Sequence, residues 1–403
     1  MGDGRPCDPA QSGRYHRRNL SDSVTSQPNL ARRLCLLIFM KIIEAEAISI
    51  DIPIMAPLRV SGGVNLDFSK DIIVKITDEK GNTGYGEGAP RIRITGETRK
   101  ECLSFLNDEL FPNLKGEEIS IGNISSILDE FPGHHAAKAP VDMAVYDIMS
   151  KSMGIPLYRF LGGAVRMELP VARSVSLNIP EIMKKEAQDI ISEGIYRIKL
   201  KVGVNRDQDI ETVRTVREAV GKDVDINIDA NQGWQVGEAI DILKELEPYD
   251  ILFCEQPVQK DDIDGLKEIR EKTGVKIMAD ESAYSPEKVL ELVSKRAVDC
   301  VNIKLEKCGG ITPAVQISSI CGAGGIPCQL GDAVTGGLNT AAGIHFACSN
   351  YNVQYFEFGC GPFMRVRDFT DVDRYYSEGV IRIINEKGIG INMDIDSVRT
   401  IQI

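Results

Sequence analysis

The chain has 403 residues, enough for two or three domains of roughly 100–200 residues, or for one large α/β barrel with an appendage. Its 43% hydrophobic and 26% charged residues match soluble globular proteins and exclude a fibrous or wholly disordered chain. Lys plus Arg number 47 against 59 for Asp plus Glu, a net charge of −12 and the wrong sign for nucleic acid or an anionic membrane, so neither is expected as a partner. The 10 cysteines show no paired spacing and read as reduced thiols, which points to the cytoplasm. The apolar run at residues 34–40 is far shorter than the roughly 20 residues that span a bilayer, and no small-residue cleavage site follows Arg32-Arg33.

In chain order, residues 1–39 are polar, rich in Ser, Arg, Gly and Pro, and lack periodicity. They are expected to be disordered or a spurious extension, with Met40 as the true start. Residues 40–165 read as an α+β capping domain. MKIIEAEAISIDIP alternates like a strand, IIVKITDEKGNTGYGEG gives two strands joined by a Gly-Asn turn, and three helical stretches follow between about residues 100 and 161. Residues 366–403, with short strand-like pieces such as VIRIINEKGIGI, are expected to pack back on this module and complete it.

From about residue 166 to 365 the texture becomes a repeat of a short β-branched run, a polar residue and an amphipathic helix. The eight runs are VARSVSLN, YRIKLKV, VDINIDAN, ILFCEQP, VKIMADES, VDCVNIKLE, IPCQLGD and VQYFEFG. The polar residues at their ends, Lys201, Asp229, Glu255, Asp280, Lys304, Asp332 and Glu357, recur every 24 to 28 residues. That period over eight strands predicts a (β/α)8-type barrel. A doubly wound sheet fits less well, because no GxGxxG follows the first strand.

Charges at the ends of buried parallel strands require partners. On a barrel all of them lie at the C-terminal mouth. Asp229, Glu255 and Asp280 on consecutive strands would repel one another unless a hard divalent cation, Mg2+ by preference, joined them. Lys201 and Lys304 face each other across the barrel. A lysine beside a cation in a dry site has a depressed pKa and can act as a base, so two of them could take a proton from one side of a carbon and return it to the other. Lys199, two residues before Lys201, shares its face and would help hold it neutral. Taken singly, a strand-end Asp is more often a helix cap and a strand-end Lys more often solvated; the joint pattern carries the functional reading. Cys254, Cys308 and Cys328 read as small core residues. His134 and His135 in a loop and His345 in a helix occupy no strand end, which disfavours histidine catalysis. The turn from Asp332 to Gly337 offers either an anion cradle at a helix N-terminus or a plain glycine-rich loop.

YRIKLKVG, DANQGW, EQPVQKDD, MADES and NIKLEKCGGI, with ITGET at residues 94–98 and PLR at 57–59, resemble the muconate-lactonising subgroup of the enolase superfamily, and within it the dipeptide epimerases of the L-Ala-D/L-Glu type. The resemblance runs from Met40 through nearly the whole chain. It implies a barrel with a capping domain, Mg2+ held by Asp229, Glu255 and Asp280, and 1,1-proton transfer through an enediolate by Lys201 and Lys304, with Lys199 as electrostatic partner. It also implies that Arg59 meets the carboxylate of an acidic second residue of the substrate. Where those epimerases carry Asp-x-Asp for the dipeptide's ammonium, this chain has Glu357-Phe358-Gly359, leaving Glu357, or Asp332 from the neighbouring strand, to hold it. The expected activity is an epimerase of a small carboxylate, most simply a dipeptide, in a homo-oligomer. The alternatives are a muconate-type cycloisomerase or o-succinylbenzoate synthase, which needs one lysine, an N-acylamino acid racemase, or a binding protein that has lost catalysis.

Overall fold

The computed structural model describes residues 40–60, 64–358 and 369–394, with the side chains of residues 55–60 and 64–66 excepted. The disorder expected for residues 1–39 concerns residues outside those described. In the cap, β1 (Ile42–Val60), β2 (Val64–Asp78) and β3 (Thr83–Gly88) form an antiparallel sheet in the order β1-β2-β3. The tight turn between β2 and β3 is closed by Asp78, whose carboxylate accepts from the amides of Lys80 and Asn82. The expected helical stretches follow as residues 99–114, Ile121–Asp129 and the long α1 (His135–Met153). The Gly84-x-Gly86-x-Gly88 spacing of β3 has a packing cause. A Cβ on any of the three would lie 2.0–2.5 Å from a carbonyl of α1 (Ala144, Pro140 and Ala136), so only glycine lets helix and strand approach this closely.

The barrel follows the sequence period strand by strand. Its eight parallel strands are β5 (Ala172–Val175), β6 (Arg197–Lys201), β7 (Asp225–Asp229), β8 (Ile251–Glu255), β9 (Ile277–Ala279), β10 (Cys300–Ile303), β11 (Cys328–Leu330) and β12 (Val353–Phe356). They pair in chain order, and a parallel bridge from Ala172 to Glu357 brings the first strand beside the last. The intervening helices are α2 (Pro180–Ser192), α3 (Arg206–Val220), α4 (Val236–Leu246), α5 (Ile263–Lys272), α6 (Pro286–Lys295), the single turn α7 (Leu305–Cys308), α8 (Ile311–Ala323) and α9 (Gly337–Ser349). Their apolar faces and the outward faces of the strands make one continuous core.

The C-terminal segment does two things. Phe369, Ile391 and Met393 pack on Ile48, Ile50, Ile52 and Ile73 of the cap sheet. The VIR stretch differs: β14 (Val380–Arg382) pairs with β13 (Tyr376–Ser377) and with β4 (Glu168–Pro170), the strand that leads into the barrel, rather than with the cap sheet. Among the described residues no helix is long and apolar enough to cross a membrane.

Candidate active site

Lys201, Asp229 and Glu255 are register partners on β6, β7 and β8, so their side chains leave the sheet on the same, inward side. All three are buried, as are Lys199, Asp280, Lys304 and Glu357. Lys201 donates to Asp229 at 2.5 Å and to the side-chain oxygen of Asn231 at 3.1 Å. Lys199 lies 3.5 Å from the same Asp229 oxygen, 3.4 Å from Glu255 and 2.6 Å from Glu357. Across the barrel Lys304 donates to Asp280 at 2.7 Å. The structure therefore gathers the strand-end lysines and carboxylates into one charged layer at the mouth.

One expectation needs correction. Glu357 is 3% exposed, and its carboxylate accepts from Lys199 and, at 2.9 Å, from Ser174. It is the counter-ion of Lys199 rather than a group held out to an incoming ammonium. Burial works against the ammonium of Lys199, but Glu255, Glu357 and Asp229 overrule it and hold the amine protonated well above the ordinary lysine range. Burial is likewise outweighed at Lys304 by Asp280 and Glu255. The reciprocal effect holds Asp280 far below the usual carboxylate range, through Lys304 and Lys307.

Asp332 sits at the mouth after β11, where one carboxylate oxygen accepts from the amide and hydroxyl of Thr335. The helix N-terminus that follows is no vacant anion cradle. Glu87 of the cap fills it, accepting from the amide of Asn339 at 3.0 Å. The Arg59 side chain lies outside the described residues; its backbone pairs with Asn65 in the β1–β2 hairpin. The seven described cysteines are all free and buried. His345 is a buried structural residue whose ring nitrogens engage the amide of Tyr158, the hydroxyl of Tyr375 and the carbonyl of Ile389.

Sequence reading missed four participants. Lys307 is 0% exposed and donates to Asp280 at 2.7 Å and to the carbonyls of Asp280 and Asn302 at 2.5 and 2.9 Å. The strand expected over VDCVNIKLE stops at Ile303 and turns into α7, which swings Lys307 back beside Lys304. The i, i+3 spacing of the two lysines is the signal that could have revealed this. Asn231, at φ +43°, adopts the left-handed backbone that Asn tolerates, donates its amide to Asp229 and reaches Glu281. Gln256 accepts from the amides of Asp280 and Ser282 and so fixes the DES turn. Asn302 donates to Glu255 at 2.9 Å. The Trp of DANQGW has a plainer role, donating to Asp209, which also caps the amides of Gly203 and Val204 after Lys201.

As they stand, no three of the described His, Cys, Asp or Glu side chains form a ready metal cluster, and Lys201 and Lys304 lie against Asp229 and Asp280. The charge balance nevertheless leaves carboxylate to spare. Burial, only partly countered by Lys199 and reinforced by Asp229 and Asp280, pushes Glu255 up to about 8. Burial, then Asp280 and Asp229, pushes Glu281 up to about 7, and its Oε2 has no hydrogen-bond partner among the described residues. An excess of hard oxygen donors in a dry site fits a divalent cation of the Mg2+ type.

Comparison with known proteins gives this geometry its context. The Mandelate racemase / muconate lactonizing enzyme N-terminal domain matches residues 43–162, and the Enolase C-terminal domain-like family matches residues 182–398. The N-succinyl-L-Arg/Lys racemase of Bacillus cereus is 35% identical over 90% of this chain and 98% of its own, and its crystal structure superposes with a TM-score of 0.88. The L-Ala-D/L-Glu epimerase of Bacillus subtilis is 35% identical over 87% of this chain and 97% of its own. A Cytophaga hutchinsonii dipeptide epimerase, solved with Mg and D-Ala-L-Val, is 31% identical over 90% of this chain and 98% of its own, with a TM-score of 0.85. The chain belongs to the enolase superfamily and is an isomerase.

Proposed function

We propose that the protein is a Mg2+-dependent epimerase of a small carboxylate, most simply a dipeptide, that moves a proton from one face of an α-carbon to the other with Lys201 and Lys304. The observation that carries the reading is the placement of these two lysines at the C-terminal ends of the second and sixth of eight barrel strands, on opposite walls, each against its own carboxylate. Asp229, Glu255 and Asp280 would hold the metal, which supplies positive charge against the substrate carboxylate and so makes the α-proton easier to lose. Carboxylates that share a cation hold a neighbouring ammonium less firmly, which lowers the cost of the neutral lysine that acts as base. The first lysine takes the proton and the facing one, protonated, delivers its own to the other side. Lys199 keeps positive charge beside Lys201, with Glu357 as its fixed counter-ion. Arg59 on the cap hairpin would select an acidic second residue through a bidentate pair.

A second substrate class has an observation in its favour. Among the described residues, Glu357 is committed to Lys199 and so offers no clear seat for a dipeptide's free ammonium. An N-acylated amino acid needs no such seat. Incubating the protein with Mg2+ in D2O against L,L-dipeptides and N-succinyl amino acids, with mass spectrometry of the α-position, tests both. Deuterium incorporation with interconversion of stereoisomers is expected in one of the two sets. Incorporation in neither, with turnover of a muconate or cyclohexadiene carboxylate, would transfer the site to cycloisomerase or dehydration chemistry.

A further inference from the structure

The cap grips the loop that follows β11. Arg91 donates from Nε to the carbonyl of Ala333 at 2.8 Å and from one terminal nitrogen to the carbonyl of Val334 at 2.9 Å. The same nitrogen reaches the hydroxyl of Ser69, which is buried and itself lies against the Val334 carbonyl. Val334 has φ +64°, a left-handed backbone that a β-branched residue adopts only when its surroundings force it. Just before it, the amide of Gly331 donates at 2.8 Å to the carbonyl of Ile303, the residue preceding Lys304. The strained loop is thus pinned on one side to the strand that bears a candidate base and on the other to the cap.

We infer that Arg91 is a positioning residue of the active site. It holds two successive carbonyls so that the β11 loop, with Asp332 and Thr335, keeps the shape that walls the mouth next to Lys304. A planar guanidinium can place donors on both carbonyls and on Ser69 at once, which a lysine ammonium cannot match. Arg91 acts through the loop and touches no reacting atom. Seating of the cap and shape of the mouth are therefore one event. The inference rests on reading the barrel mouth as the active site.

The test compares wild type with Arg91→Lys, Arg91→Met, Val334→Asn and Arg91→Met/Val334→Asn in the full chain. Hydrogen exchange of amides 332–336, without metal or substrate, should accelerate about tenfold in Arg91→Met while residues 236–246 on the far helix are unchanged. With Mg2+ and L-Ala-L-Glu, KM should rise about tenfold and kcat change less than about threefold, with Arg91→Lys between wild type and Arg91→Met. In the Val334→Asn background, where left-handed backbone costs less, the Arg91 change should lose at least half of its effect on KM. Wild-type exchange of the loop in Arg91→Met would overturn the inference. So would equal acceleration throughout the protein, which would make Arg91 a general structural residue. If wild type does not turn over the dipeptide or any N-succinyl amino acid, the proposed function fails, yet the exchange comparison still decides the role of Arg91.

Discussion

The two walls of the barrel carry one motif built by different means. On one wall Asp229 is shared by Lys201 and the more buried Lys199; on the other Asp280 is shared by Lys304 and the more buried Lys307. Lys199 answers to three carboxylates, so its state depends on an ionic balance. Lys307 is anchored to one carboxylate and two backbone carbonyls. The first neighbour can be tuned by changing charges around it, whereas the second is fixed by the chain itself.

The largest effects come from removing the shared carboxylates. Asp229→Asn, Glu255→Gln and Asp280→Asn should each lower kcat/KM by at least about 10³-fold, with a native circular dichroism spectrum, because each leaves the apolar core of the barrel intact even where a buried lysine loses a partner. Excess chelator should do the same to wild type, and full activity in its presence would contradict the metal assignment. Next come the walls taken singly. Lys201→Ala and Lys304→Ala should both abolish interconversion, yet each should still exchange the α-proton of one stereoisomer with D2O, and the two variants should choose opposite isomers.

Stability sharpens the contrast between the deeper lysines. Lys199→Met and Lys307→Met should each cost about 3–5 kcal/mol in urea unfolding, since each leaves buried charge or carbonyls uncompensated. Adding Glu357→Gln should recover part of the loss in Lys199→Met and none in Lys307→Met. Equal recovery in both would erase the distinction. The smallest effect lies away from the mouth, at His345, and separates general acid sensitivity from that of the walls. Burial pushes its imidazole down to about 4 from 6.5, so the folded state binds fewer protons than the unfolded one between those values. Its contribution is full above about pH 6.5 and is lost as pH falls toward 4, a change of at most about 3 kcal/mol. His345→Gln should flatten that slope between pH 7 and 4.5.

The contrast between the walls also explains what the sequence could reveal. Lys199 and Lys201 were legible because a strand has a period of two and both fall on one face. A second regularity placed the barrel strands, because seven of the eight end in a polar residue at a regular interval. Lys307 was not legible, because the chain leaves strand period at Ile303 and a single helical turn carries no periodic signature of its own. Glu357 was legible as a strand-end acid but not by its partner, since its pairing with Lys199 spans 158 residues and arises only when the barrel closes. Glu87 in the N-terminus of α9 and Arg91 on the β11 loop were hidden for a related reason. Their partners lie more than 240 residues away, across the contact between cap and barrel.

The most direct test of transfer between two walls uses wild type alone, at low conversion, in D2O with Mg2+ and one stereoisomer of an accepted substrate. Mass spectrometry of the separated isomers should find solvent deuterium at the α-carbon of essentially all product molecules, while recovered starting isomer is still largely protium, because the base that removes the proton is not the acid that delivers the new one. Product that retains the substrate's own proton would show a single base serving both faces and would contradict the account.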